Sequence, residues 1–173
     1  AAGVSMNAVS VVLAGGSPHS NFRTQAITMS DSTVSRRDVR RLLDRSGAQE
    51  LDNALQLMQL HPLHYSPDGV HGIADPTCMR GRSLAVDFLN VTALRTSLTN
   101  IIEALALNHL SVERFIHAGY AAGLACLSGE DRDLGSTVID IGGGTSSIAI
   151  FMDGKLIYAD TVPVGGQHVS TDI

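Results

Sequence analysis

The 173-residue chain contains no tryptophan, and its three tyrosines and four phenylalanines make up only 4% of the sequence. Base-stacking platforms and sugar-binding clefts depend on such rings, so neither is favoured. Two cysteines, Cys78 and Cys126, stand far apart and form no C-x-x-C pair. That argues for a reducing compartment and against a disulfide framework or a zinc site. Twelve basic residues face seventeen acidic ones for a net charge of -5, which leaves no general basic footprint for nucleic acid. The longest apolar runs, such as Val11-Val12-Leu13-Ala14, fall far short of the roughly 20 residues that span a bilayer. Composition predicts a soluble, cytosolic, globular chain, long enough to bury roughly 70% of its extended surface.

What is present is a mixed α/β pattern. Ala8 to Leu13 is apolar and β-branched and stops at Gly15-Gly16-Ser17-Pro18, which predicts a buried strand and a turn. Phe22 to Met29 is a second, weaker strand. Ser35 and Asp38 have capping-box spacing, and Val34 and Val39 occupy the positions of a hydrophobic staple. Val39, Leu42 and Leu43 supply an apolar face, so a helix is expected from Arg36 to Ser46, ended by Gly47 in the left-handed conformation. Leu55 to Tyr65 reads as a strand whose Pro62 calls for an edge or a bulge. Ser66 to Arg82 is punctuated by Pro67-Asp68-Gly69, Gly72, Asp75-Pro76 and Gly81, and a loop this long is usually functional or mis-assigned. Leu84 to Thr92 returns to a strand. An amphipathic helix with Leu98, Ile101, Ile102 and Leu105 follows, ending near Asn108. Next come a short strand at Phe115-Ile116 and a small-residue helix from Tyr120 to Leu127, whose alanines and glycine permit close backbone approach. Thr137 to Ile141, Ser147 to Met152 and Leu156 to Val164 form three strands, with Asp153-Gly154 as a hairpin turn. Two sheets are expected rather than one.

The chemistry concentrates at Val138-Ile139-Asp140-Ile141-Gly142-Gly143-Gly144-Thr145, a buried strand opening into three glycines. Successive backbone N–H groups without side chains can line an anion site. An aspartate just before such a tip can hold magnesium through water, and Thr145 adds a hydroxyl at the rim. Neither the Walker-A pattern nor the dinucleotide fingerprint fits. Taken alone, the run is equally consistent with a glycine-rich turn of purely structural duty.

Asp140 to Thr145 resembles the second phosphate motif of the actin-like ATPases, the superfamily of actin and the Hsp70 chaperones. Val164-Gly165-Gly166 resembles the glycine pair near the terminal phosphate, and Gly119-Tyr120-Ala121-Ala122-Gly123-Leu124 the helix preceding the motif. Within that superfamily the chain is most similar to the FtsA family of bacterial division proteins. The similarity rests on Gly72-Ile73-Ala74-Asp75-Pro76 with Met79, Gly81 and Leu84, on Val91-Thr92, on Glu130-Asp131-Arg132-Asp133-Leu134-Gly135, and on the capped helix from Ser35 to Gly47. These run in family order over nearly the whole chain. Three positions depart from the pattern. Thr145-Ser146-Ser147 stands where two threonines and an aspartate are common, so Ser147 lacks a carboxylate. Cys78 and His109 stand where glycines are usual.

The resemblance implies a fragment of the actin-like (ribonuclease H-like) fold with an inserted small α+β, strand-helix-strand-strand subdomain of the SHS2 type. Residues 1–20 and 90–134 would belong to the first lobe, 21–89 to the inserted interaction subdomain, and 135–173 to the hairpin of the second phosphate motif. It implies ATP and Mg2+ as cofactors of the intact protein, with Asp140 positioning the metal. Gly142, Gly143, Gly144, Thr145, Gly165 and Gly166 would hold phosphates. It further implies a polymerising scaffold that tethers FtsZ filaments and recruits later division proteins. That scaffold would be cytoplasmic and peripheral to the inner face of the membrane, anchored through a C-terminal amphipathic helix. A first phosphate motif, an adenosine motif and that helix are not found in the sequence, and Ser170 to Ile173 reads as a helix N-terminus. The fragment alone is expected to bind ATP weakly or not at all, and whether ATP is hydrolysed stays open. Two alternatives remain: a pilus-assembly ATPase with a similar insert, and a sugar kinase or phosphatase of the same superfamily. The latter would need a catalytic carboxylate that no motif supplies.

Arg36, Arg37, Arg40, Arg41 and Arg45 give the capped helix a basic stripe. A solvated face tempered by Asp38 and Asp44 is one explanation. A contact for an acidic partner through Arg37, Arg41 and Arg45 is the other, since arginine pairs carboxylates bidentately. His61 and His64 fall on opposite sides of a strand without a third ligand, so no metal site is expected there.

Overall fold

The computed structural model describes residues 7–48 and 51–172. In chain order the elements are β1 (Ala8–Leu13), β2 (His19–Thr28), α1 (Arg36–Gly47), β3 (Leu55–Pro67), β4 (Ser83–Leu94), α2 (Arg95–Ala106) and β5 (Ser111–His117). They continue as α3 (Ala118–Cys126), α4 (Gly129–Leu134), β6 (Ser136–Ile141), β7 (Ser146–Met152), β8 (Lys155–Val162) and α5 (Gly166–Thr171). The strands form a two-stranded sheet, β1-β5, and a six-stranded one in the order β3-β4-β2-β8-β7-β6. The mixed α/β class and the two sheets agree with the sequence pattern.

The chain divides into two compact units. Unit 1 comprises Ala1–Ser20, Asp52–Gln59 and Val91–Ile173, and unit 2 comprises Asn21–Leu51 and Leu60–Asn90. The division falls within β2, β3 and β4.

In unit 2, α1 begins because Ser35 and Asp38 satisfy each other's backbone amides. The Ser35 hydroxyl accepts from Asp38 N at 3.2 Å, and the Asp38 carboxylate accepts from Ser35 N at 3.1 Å. Such a box contributes about 1 kcal/mol. The staple is present as well: Val34 is buried, and Val39 packs on the same cluster as Leu42, Ile27, Leu84, Val86 and Phe88. Gly47 does not stop the helix in the left-handed conformation. It remains helical, and Ala48 caps the end with ordinary right-side backbone angles, its N–H donating to Asp44 O. Pro62 is accommodated because β3 lies at the end of the strand order, where a missing donor costs no ladder bond. The long loop after β3 is fixed by backbone bonds. Val34 N donates to Met79 O, Cys78 N to Val34 O and Gly81 N to Ser32 O, and Ile73 and Met79 reach the core. At its base the Asp68 carboxylate accepts from the amides of Arg82 and Ser83, both at 2.8 Å. Those bonds hold its pKa below the usual carboxylate range.

In unit 1, β1 and β5 pair in parallel, with Leu13 opposite His117. Leu13, Phe115 and Ala93 pack with Leu98 of α2, and Val11, Met58, Ile101 and Val112 surround them. β1 exposes alternate residues, so it is a one-faced strand and not the fully buried one its composition suggested. The small-residue helix α3 serves as expected. A Cβ on Gly119 would sit 3.2 Å from Ala149 and Ile148, and one on Gly123 would run into the Phe151 ring. Tyr120 stacks on that ring at 6.0 Å. β6, β7 and β8 form an antiparallel meander. Its second turn has positive φ at both Asp153 (50°) and Gly154 (70°), the type I′ pattern that matches strand twist. α4 was not apparent from hydrophobic periodicity. Ser128 and Asp131 cap it with a second box, and its last carbonyls receive the amides of Asp153 and Gly154. The final helix begins at Gly166, four residues before Ser170, and Ile173 lies outside the described residues.

Candidate functional site: a glycine hairpin tip against a glycine turn

Asp140 lies on β6, and Gly142, Gly143, Gly144 and Thr145 make the tip between β6 and β7, closed by Ile141 opposite Ser146. Gly142 N donates to Thr145 O at 2.9 Å. The second glycine pair meets this tip directly. Gly166 N donates to Gly142 O and Gln167 N to Gly143 O, each at 2.9 Å. A Cβ on Gly165 would sit 2.5 Å from Gly142 O and 2.6 Å from the Gly143 carbonyl. Any side chain at Gly165 would force these two backbones apart, which accounts for the two glycine segments meeting here. The tip carbonyls also act as the N-cap of α5, satisfying donors that a side chain usually satisfies.

These contacts divide the glycines by role. The amides of Gly142 and Gly166 are committed within the protein. Those of Gly143 and Gly144 donate to no acceptor among the described residues, and a Cβ on Gly144 would meet open space. The tip therefore presents two free donors on a surface without side chains, a geometry suited to phosphate oxygens. Asp140 is exposed beside it. No group of three or more His, Cys, Asp or Glu residues able to hold a metal occurs among the described residues. A magnesium ion here would have to arrive with phosphates and keep its waters, with Asp140 reaching it through them and no protein cage around it. β6 is not the buried strand its apolar sequence suggested. It ends the six-stranded order, and Ile139 and Ile141 are 59% and 69% exposed.

Behind Asp140 lies a buried polar chain that motif reading missed. Directly paired residues of antiparallel strands share a face, so Asp140 and Ser147 stand side by side. The Ser147 hydroxyl lies 3.2 Å from Thr161 Oγ1, which lies 3.1 Å from Nε2 of the buried His117. His117 Nδ1 accepts from Tyr120 N and so caps α3, and its own amide donates to Gln59 Oε1 at 2.9 Å. With Nδ1 accepting, the neutral ring carries its proton on Nε2 and donates toward Thr161. Burial holds the His117 pKa below the ordinary imidazole value, against the opposing pull of Asp160 and Asp140. Ser147, in place of the aspartate common in the resembling family, therefore fills an internal hydrogen-bonding position. A carboxylate here would place a charge where the protein is closed to water.

Arg37, Arg41 and Arg45 lie exposed on α1 in unit 2. Arg41 Nη2 donates to Thr28 O at 2.8 Å and lies 3.6 Å from Asp38.

The fold is a portion of the actin-like fold carrying an inserted SHS2 domain. Residues 15–92 match the family described as "SHS2 domain inserted in FTSA", and residues 137–173 match "Cell division protein FtsA". The chain belongs to the FtsA family of cell-division proteins. It is 37% identical to cell division protein FtsA of Rhizobium meliloti (strain 1021) over 172 residues, 99% of this chain and 39% of that protein. Identity to the Bacillus subtilis (strain 168) protein is 29%, covering 86% of this chain and 34% of that one. For Escherichia coli (strain K12) it is 28%, covering 85% and 35%. The chain thus spans about two fifths of the length of the Rhizobium meliloti protein. A solved structure, the PilM-PilN type IV pilus biogenesis complex, aligns with TM-score 0.59 at 16% identity, over 96% of this chain and 46% of that one. That likeness concerns the fold. No helix among the described residues is long and apolar enough to cross a membrane.

Proposed function

We propose that this chain forms one wall of a Mg-ATP cleft, together with an inserted interaction module, in an actin-like scaffold of bacterial cell division. The observation that carries this is the packing of Gly165 onto the Gly142-Gly143 backbone, which leaves the Gly143 and Gly144 amides free beside Asp140. ATP would supply the phosphates and bring the magnesium. Gly143 and Gly144 would donate to phosphate oxygens, and Asp140 would orient waters of the metal. Thr145 would close the rim, while Gly142, Gly165 and Gly166 hold the tip in shape. Positioning charge in this way is most of what phosphoryl binding asks of a protein.

Residues 1–20 and 90–134 would then belong to the first lobe, 21–89 to the inserted module, and 135–173 to the phosphate hairpin. As in the division family, the intact assembly would form filaments, bind FtsZ and later division proteins, and work at the inner face of the membrane. Both family matches name FtsA, which favours division over pilus assembly as the setting. The sugar kinase and phosphatase alternative would need a catalytic carboxylate that no motif of the sequence supplies.

The test is replacement. A chimera carries this chain in place of the matching segment of the Rhizobium meliloti protein, in cells depleted of their own copy. Septum formation is the expected result. Filamentous cells with a stable, correctly localised chimera contradict the proposal. Calorimetric titration of Mg-ATP into the 173-residue chain alone is expected to show no micromolar site, since it presents one glycine-lined wall.

A further inference from the structure

Treating unit 2 as an interaction module leaves its partner unnamed, and the surface of α1 narrows the choice. Arg37, Arg40, Arg41 and Arg45 are spaced to share one helix face. With Asp44 and Ala48 they line a shallow, open groove of about 470 Å³. Arg41 is fixed in it by Thr28 O and Asp38. Arg37, Arg40 and Arg45 form no ion pair with any described residue.

This concentration is unusual for the molecule. The chain carries net charge -5, yet α1 holds five arginines against two aspartates over 12 residues. Eleven of the twelve basic residues in the chain are arginine. Five of those eleven fall on α1, where their planar forks stand close enough together to pair a run of carboxylates bidentately. Placing like charges side by side in a groove costs repulsion that an acidic occupant would relieve. A lipid surface fits less well, because none of the large exposed apolar side chains lies on α1 to enter the acyl layer.

Resting on the proposed role of residues 21–89, we infer that the α1 groove docks an acidic peptide segment of a partner protein. Arg41 is the fixed central donor, and Arg37, Arg40 and Arg45 engage carboxylates on either side of it.

Fluorescence anisotropy with labelled octaglutamate and the 173-residue chain tests this. Binding should weaken with salt. Arg40→Glu/Arg45→Glu should weaken it at least about tenfold, while the charge-matched control Arg23→Glu/Arg114→Glu stays within about twofold of the parent. Circular dichroism checks folding, and Arg40→Gln/Arg45→Gln supplies the comparison if the reversal unfolds the chain. Equal losses in both reversals would reduce the effect to bulk charge and overturn the inference. So would no octaglutamate binding, or an α1 reversal that changes only phosphatidylglycerol vesicle co-sedimentation or only self-association. The α1 substitutions leave the glycine tip untouched. Intact peptide binding beside failed nucleotide binding in the chimera would therefore remove the nucleotide proposal alone, and the reverse pattern would remove this one alone.

Discussion

The core of unit 2 and the β6–β8 meander of unit 1 are both rich in apolar residues, yet they use them differently. In unit 2, Val34, Leu42, Leu84, Val86 and Phe88 are all at most 1% exposed and close on one another around α1. In the meander, Ala149, Phe151 and Leu156 are buried on the face that carries α3, while Ile139, Ile141 and Val162 stand open. The first region satisfies its own hydrophobic demand. The second has one covered face, and its apolar surplus sits beside the glycine tip. An apolar run therefore reports how a strand can be used and not whether both faces are covered in the chain at hand.

The strongest way to break that contrast is mutational. Leu42→Ala should cost about 2–5 kcal/mol, as core truncations do. Ile141→Thr should fall within about 0.5 kcal/mol and raise solubility. Denaturant unfolding of the two variants checks this, and a comparable loss from Ile141→Thr would mean its face is covered in solution.

Acid should weaken both regions. Burial lowers the His61 pKa to about 4 from its ordinary 6.5, and His117 in unit 1 is lowered as well. A depressed histidine contributes stability above pH 6.5 that is lost as pH falls through the folded value. For His61 the loss between pH 6.5 and 4 is of order 3 kcal/mol. Asp38, Asp68, Asp75 and Asp131 are also held below the ordinary carboxylate value by hydrogen bonds, chiefly from Ser35, Ser83, Thr77 and Ser128 respectively. Their contributions go only as pH falls further. Urea melts across pH 7 to 4 should show a slope that His61→Gln flattens, and an unchanged slope would place the proton uptake elsewhere.

Within the glycine site, Gly165→Ala should cost about 1–3 kcal/mol, because backbone carbonyls block its Cβ. Gly144→Ala should cost far less, since its Cβ meets nothing within 4 Å. Thermal melts that rank the two the other way would contradict the packing of the glycine turn on the tip. The smallest effect is a gain. Cys78 and His109 have φ of 68° and 59°, so Cys78→Gly and His109→Gly each relieve left-handed backbone strain of about 1 kcal/mol. No rise in melting temperature for either would refute it.

Local chemistry was readable from the sequence where the groups that decide it are neighbours in the chain. Ser35 with Asp38, Val34 with Val39, and Asp153 with Gly154 each announced a start or a turn. So did the two glycine segments. Ser128 and Asp131 carry the same capping signal, but the six-residue helix they start has no apolar period to draw notice. Gly47 was misread because a glycine near a helix end can also remain helical when the next residue closes the turn. The chain of His117, Gln59, Thr161 and Ser147 was invisible, because its partners lie 14 to 58 residues apart in sequence. Only the fold brings them to one place.

On the proposed reading, the tip beside Asp140 receives magnesium and phosphate together. The most direct measurement is Mg-ATP titration of the Rhizobium meliloti chimera, with and without Asp140→Asn. Magnesium-dependent binding weakened at least about tenfold by the substitution is the predicted result. Binding indifferent both to magnesium and to Asp140→Asn would contradict it.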